Sequence, residues 1–184
     1  MAAGVSEASS RPGPLDVLET ARLVLRGRRA DEAVIYRELW LERDPRVPAH
    51  RRIDRDGRPT VDEIAAHVRA ETQAPGLGLL AVQRKESGDV IGYCGLTPRG
   101  SGAPGEPELA YELLRAAQGR GYATEAGRAV VAWALDAGIP RIWAEVWDWN
   151  VASRRVLTKL GFRETALVTQ TSLHGRSLLT VWEE

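Results

Sequence analysis

Cysteine is almost missing from this chain, and so is lysine. Cys94 is the only cysteine, which excludes any disulfide within the chain. Lys85 and Lys159 are the only lysines, so arginine carries nearly all the positive charge. Neither sign dominates, because Lys plus Arg and Asp plus Glu both number 25. The chain therefore lacks the global basic field that drives binding to nucleic acid or to an anionic membrane surface. No run approaches the ~20 apolar residues that cross a bilayer, and the first residues lack the apolar core of a signal peptide. The expectation is a soluble, cytoplasmic protein with no nucleic-acid and no membrane partner. His50, His67 and His174 stand in unrelated local contexts without metal-ligand spacing, so no metal is expected.

What is present is enough apolar material for a core. At 184 residues and 43% hydrophobic, the chain fits one domain, and no shift in composition marks a second. Residues 1–14 are rich in Ala, Ser, Gly and Pro without periodicity and predict a disordered leader. Residues 15–184 are then the single domain.

Thr20 to Arg26 alternates, with Ala21, Leu23 and Leu25 on one face, which predicts a half-buried strand. Asp31 is placed as an N-cap before the helical spacing of residues 33–40, and Thr60-Val61-Asp62-Glu63 forms a capping box for a second helix ending before Pro75-Gly76. Residues 43–59 between them hold three prolines and predict a loop. The runs 79–83 and 90–96 flank Lys85-Glu86-Ser87-Gly88-Asp89 and predict an antiparallel hairpin, followed by a Gly/Pro loop over 99–107. A strand over 108–114 then leads to a helix over 122–137, with Ala126, Val130, Trp133 and Ala137 at helical spacing. Gly138 and Pro140 stop that helix, and 141–147 alternates as another strand, so a parallel crossover is expected. A short helix capped by Asn150 and leaving through Gly161, then strands near 163–170 and 177–183, complete a mixed α/β sheet.

The run Gln118-Gly119-Arg120-Gly121-Tyr122-Ala123 joins the strand to the helix. Glycine lacks a Cβ, so its N–H can approach a ligand closely. The unpaired first N–H groups of a following helix and the positive end of its dipole favour an anion at the same place. Alone, the run reads first as a tight turn that needs glycine for its geometry only. A second block, Asn150-x-x-Ser153-x-x-x-Leu157-x-x-x-Gly161-Phe162, stands downstream in order.

Together these two blocks resemble the GNAT superfamily of acyl-CoA-dependent N-acyltransferases over roughly residues 17–184. Gln118, Gly121 and Ala123 meet that family's pyrophosphate motif, Gln/Arg-x-x-Gly-x-Gly/Ala. The extension from Gly121 to Ala126 and the second block are similar to the branch of ribosomal-protein N-terminal acetyltransferases. The resemblance implies a mainly antiparallel sheet of six to seven strands with about four helices. Their order would be strand, two helices, three strands, helix, strand, helix, two strands.

It also implies acetyl-CoA as co-substrate and an amine as acceptor, a protein amino terminus or a small molecule. The N–H groups of Gly119 to Ala123 would hold the pyrophosphate, with Gln118, Tyr122 and Thr124 completing the cofactor loop and Arg120 adding charge. Leu113 and Leu114 match positions whose main chain pairs with the pantetheine arm and polarises the thioester. Ser153 matches the proposed general acid that protonates the departing thiolate, and Asn150 is a cap that also touches the cofactor. An amine nucleophile needs a base. Glu108 is preferred, Glu112 shares its sheet face, and Glu145 is a third candidate.

Other residues carry blander expectations. Cys94 is expected to be a buried core thiol, and the resemblance implies direct transfer without an acyl-enzyme. Trp143 and Trp147 share a strand face and, with Trp149 and Trp40, are either core packing or an acceptor wall. A catalytically silent acyl-CoA-binding sensor remains an alternative. So does a dinucleotide-binding protein, although its third glycine would fall at Thr124. Monomer and homodimer are both open.

Overall fold

The computed structural model describes residues 15–72, 77–99 and 105–184. The expected leader and most of the 99–107 loop lie outside them, as does the expected end of the second helix at Pro75-Gly76. The elements run β1 Leu18–Glu19, β2 Leu23–Gly27, α1 Ala33–Glu42, α2 Val61–Thr72, β3 Leu79–Arg84, β4 Val90–Thr97 and β5 Glu108–Leu113. There follow α3 Tyr122–Asp136, β6 Arg141–Trp147, α4 Val151–Lys159, β7 Arg163–Ser172 and β8 Gly175–Glu183. They form one eight-stranded sheet in the order β1-β2-β3-β4-β5-β6-β8-β7. The extra strand beyond the expected seven is β1, two residues that pair with β2 through Leu18 and Leu25. Among the described residues no helix is long and apolar enough to cross a membrane.

Alternation along the strands sorts the two faces. Leu80 and Val82 of β3 join the larger core cluster under Ala126, Val130 and Ala134 of α3, Leu157 of α4 and Leu160 at its C-terminal cap. Ala81, between them in sequence, joins a second cluster with Tyr36 and Leu39 of α1 and Ile64 and Val68 of α2. The central strands β3 and β4 are covered on both faces, which is why they are almost continuously apolar. The Thr60–Glu63 capping box forms as expected, with reciprocal bonds of 2.8 and 3.2 Å. Asp31 is not a cap. Residues 30–32 form a 3-10 turn instead, and the Glu32 carboxylate accepts the Arg29 N–H at 3.0 Å.

Every strand pairing is antiparallel except β5 with β6, where the α3 crossover returns the chain in parallel. That pairing is recorded only at Glu108 and Trp143, with the Trp143 N–H bonded to the Pro107 carbonyl at 2.9 Å. Beyond it the two strands part, and the ladder opens toward the C-terminal ends of both. This is the gap in which the site forms.

Candidate active site

Gly119 and Gly121 turn the chain from β5 into α3 in the left-handed conformation, with φ of 73° and 83°. A side chain is strained at either angle. A Cβ on Gly119 would meet no atom within 4 Å, so its outer side opens to space a ligand can occupy. The first intrahelical bond runs from the Glu125 N–H to the Gly121 carbonyl at 3.0 Å. The N–H groups of Tyr122, Ala123 and Thr124 thus have no helical partner and, with the helix dipole, form a place that favours an anion.

The cradle is braced from the turn between β1 and β2. The Arg22 guanidinium pairs with Glu125 at 2.6 Å, donates to the Arg120 carbonyl at 3.1 Å, and lies over the Tyr122 ring at 4.5 Å. The Thr20 hydroxyl adds a 2.6 Å bond to the same Glu125 carboxylate.

A cavity of about 610 Å³ opens in front of this cradle. Of the expected cofactor residues it is lined by Leu113, Gln118, Gly119, Gly121, Tyr122, Ala123, Thr124, Asn150 and Ser153. Leu114 and Arg120 are not on its wall. The Leu114 N–H is bonded to the Ile91 carbonyl at 2.8 Å, toward β4. A strand directs successive N–H groups to opposite sides, so the Leu113 N–H points into the gap. The Gln118 amide donates to the Leu113 carbonyl at 2.9 Å and so fixes the end of β5. Arg120 is exposed at the rim, while Arg115, Arg155 and Lys159 line the cavity. Neither Arg155 nor Lys159 has an ionic partner among the described residues, which leaves both cations free for an anionic ligand.

A second cavity of about 300 Å³ lies along the gap, bounded by Glu108, Glu112, Glu145, Trp147 and Arg51. The two cavities share Arg43, Val47, Tyr111, Glu112, Trp149, Asn150 and Ser153. Asn150 caps α4 by accepting the Ser153 N–H at 3.1 Å, which holds Ser153 in the first turn at this shared wall.

The three candidate carboxylates differ. Glu108 accepts the Glu145 N–H at 3.3 Å, where the broken ladder left that donor without a strand partner. Burial, and then the neighbouring Glu145 charge, raise its pKa above the ordinary carboxylate value. Glu112 is committed to Arg43 through bonds of 2.8 and 2.6 Å and to the Tyr93 hydroxyl at 2.8 Å. Glu145 is exposed and accepts from Thr169 and Ser177 at 3.0 and 3.1 Å. Glu106 pairs with Arg141 at 2.7 Å and Glu112 with Arg43, so of Glu106, Glu108 and Glu112 only Glu108 has no direct ion pair among the described residues, and Arg99 and Arg51 act on it only at longer range.

Trp147 and Trp149 stack with ring centroids 6.3 Å apart and line the second cavity. Trp143 is turned away, its indole bonded to Glu106 at 2.7 Å, and Trp40 lies under Arg43 at 4.2 Å, on neither cavity wall. Cys94 is fully buried and its thiol is pushed up to about 12 by that burial, which removes the thiolate a nucleophile needs. Among the described residues no three His, Cys, Asp or Glu side chains converge to hold a metal ion. His67 pairs with Glu71 at 2.8 Å, and His174 meets the Arg46 carbonyl at 3.0 Å.

Residues that the sequence alone left without a role now join the site. Tyr111 places its hydroxyl 2.7 Å from Ser153 Oγ. Alternation from Glu108 gave the signal for it, since Tyr111 must face away from Glu108 and Glu112, toward the helix that carries Ser153. Arg155 and Lys159 are four residues apart and so share one face of α4, which was the signal for them.

Comparisons with known proteins agree with this geometry. The sequence profile described as Acetyltransferase (GNAT) domain matches residues 22–163. The chain is 27% identical over 159 residues to the N-acetyltransferase p20 of Bacillus licheniformis, covering 84% of this chain and 86% of that protein. A GnaT-family acetyltransferase structure from Bordetella pertussis superposes with a TM-score of 0.70 at 27% identity, covering 90% of this chain and 98% of the other. RimJ of Mycobacterium smegmatis, solved in complex with CoA-disulfide, has the same fold at a TM-score of 0.71 and 23% identity, over 95% and 88% of the two chains.

Proposed function

This chain belongs to the GNAT acetyltransferase family and is an acyl-CoA-dependent acetyltransferase, and from that premise we propose that it passes the acetyl group of acetyl-CoA directly to a primary amine within a ternary complex. The observation that carries the proposal is the meeting of the two cavities at Ser153 and Asn150. One chamber has unpaired helix N–H groups and free cations, as a pyrophosphate nucleotide requires. The other has a carboxylate that no cation pairs with directly and an aromatic wall, which suit an ammonium acceptor.

Acetyl-CoA supplies the activated thioester. The N–H groups of Gly119 and of Tyr122 to Thr124 hold its pyrophosphate, with Gly121 giving the turn its angle. The Leu113 N–H meets the thioester oxygen, where charge develops in the transition state, a contact typically worth about 3 kcal/mol. Glu108 takes the proton of the incoming amine, and its raised pKa suits it to that step. The amine nitrogen attacks the thioester carbonyl carbon and forms the new carbon–nitrogen bond, the carbon–sulfur bond breaks, its electron pair passes to sulfur, and the Ser153 hydroxyl supplies the proton. The acceptor is a protein amino terminus or a small amine.

Calorimetric titration with acetyl-CoA tests the first chamber, and micromolar binding is expected. Initial-rate measurement of thiol release over a panel of free-amino-terminus peptides and small amines tests the second. Double-reciprocal plots should intersect, as direct transfer requires. Parallel lines indicate an acyl-enzyme and overturn the ternary complex, and absence of binding at millimolar acetyl-CoA overturns the reading as a whole.

A further inference from the structure

Ser153 and Tyr111 compete for one arrangement of protons. Tyr111 Oη lies 2.7 Å from Ser153 Oγ and 3.1 Å from the Ser153 carbonyl oxygen. A phenol has a single proton. If that proton goes to the carbonyl, the Tyr111 oxygen must accept from the Ser153 hydroxyl, whose only proton is then spent inside the pair. If it goes to Oγ, the Ser153 proton is free to point into the cavity whose wall both residues form. Because the Ser153 N–H is held by Asn150 Oδ1 at 3.1 Å, the backbone is fixed while the choice is made.

We propose that Tyr111 is a positioning residue: with coenzyme A bound, its hydroxyl donates to Ser153 Oγ and so aims the Ser153 proton at the sulfur. This rests on the acetyl-transfer reading above. As the carbon–sulfur bond breaks, sulfur takes the electron pair and the Ser153 proton, and the Tyr111 hydrogen bond stabilises the charge left on Oγ. Ser153 then recovers a proton from water, and the amine proton has left through Glu108, so Tyr111 neither gains nor loses one. Its burial fits that part, because burial pushes the phenol pKa up and keeps it protonated throughout.

The test uses the full chain and coenzyme A itself, so that it does not wait on the acceptor. The thiolate absorbance of the bound coenzyme is titrated against pH in the unmodified protein, Tyr111→Phe, Ser153→Ala and the double variant. A donor aimed at sulfur favours the thiolate. Tyr111→Phe should therefore raise the pH at which the bound thiol ionises by about one pH unit, the size expected for a hydrogen bond to a charged group. It should approach Ser153→Ala, and the double variant should match Ser153→Ala because the two act as one unit. With any acceptor that turns over, Tyr111→Phe should lower kcat about tenfold and leave the KM of acetyl-CoA unchanged. A Tyr111→Phe titration that coincides with the unmodified protein overturns the proposal and leaves acetyl transfer standing. Failure of the unmodified protein to bind coenzyme A overturns both.

Discussion

Replacing Glu112 by glutamine separates stability from chemistry at this site. Glu112 and Glu108 lie on one face of β5, and either carboxylate can be imagined as the base. Their surroundings assign them different work. Glu112 is gripped by Nε and Nη2 of Arg43, whose side chain is only 9% exposed against 23% for that of Glu112. Arg43 in turn donates to the Arg51 carbonyl at 2.7 Å, so the pair ties the end of α1 and the following loop to the sheet. Removing one partner of a fully buried pair costs about 3–5 kcal/mol, because the other charge is left unpaired. The partial exposure of Glu112 and the amide oxygen that glutamine retains reduce this to about 2–3 kcal/mol. For a chain of this length that is a fall in Tm of roughly 5–10 °C.

The assay is urea unfolding followed by circular dichroism, without acetyl-CoA, since a ligand would stabilise the folded state by its own binding. Turnover measured well below the transition should stay within about threefold of the unmodified enzyme, because in the proposed mechanism Glu112 holds no proton of the reaction. Glu108→Gln should show the opposite pattern. Its folded pKa is raised, so at neutral pH the ionised carboxylate works against folding, and a neutral amide leaves stability unchanged or slightly higher. Its kcat should fall by about a hundredfold or more. A stability loss under about 1 kcal/mol in Glu112→Gln would mean that the pair is solvated. A hundredfold loss of kcat there, with stability intact, would make Glu112 the base and refute the division drawn here.

Arg155→Ala and Lys159→Ala should each raise the KM of acetyl-CoA by about three- to tenfold at low salt, an effect of about 1 kcal/mol that fades as ionic strength rises. Acetyl-pantetheine, which lacks the nucleotide phosphates, should be insensitive to both, and equal losses with the two thioesters would sink the assignment of these cations to phosphate. Glu145→Gln removes the charge that helps to raise the Glu108 pKa, so the acid limb of the kcat/KM profile, lost as pH falls through that pKa, should move to lower pH. It should stay above the ordinary carboxylate value because burial, the larger cause, is untouched, and an unmoved limb shows that Glu108 and Glu145 do not interact.

The parts of the fold that sequence expresses locally are the parts it made legible. A capping box needs four consecutive residues, and Thr60–Glu63 closes as such. The cradle needs two glycines at left-handed angles followed by helix N–H groups, and Gly119, Gly121 and α3 supply them within a short run. Asn150 caps Ser153 across three residues. The failure at Asp31 is local too. A 3-10 turn precedes α1, and the carboxylate one residue further on is the one that reaches the Arg29 N–H, so the right kind of residue stood one place too early.

The division of labour among the acidic residues was not legible, because it depends on partners far along the chain. Arg43 and Glu112 are 69 residues apart, and nothing near Glu112 announces that a guanidinium will arrive from the end of α1. The proposed acceptor wall has the same origin. Arg46 lies over Trp149 at 4.1 Å and its carbonyl meets His174 at 3.0 Å, so the loop after α1 is pinned to the β7–β8 turn beside the shared wall. Trp147 and Trp149 became wall residues through that closure, while Trp143 and Trp40 found partners elsewhere. A cofactor that must be gripped by its phosphates can be recognised by backbone, and backbone geometry is written in short motifs. The proposed acceptor chamber is built from side chains that three distant segments bring together, so the half of the site to which we assign the choice of acceptor leaves no motif in the sequence.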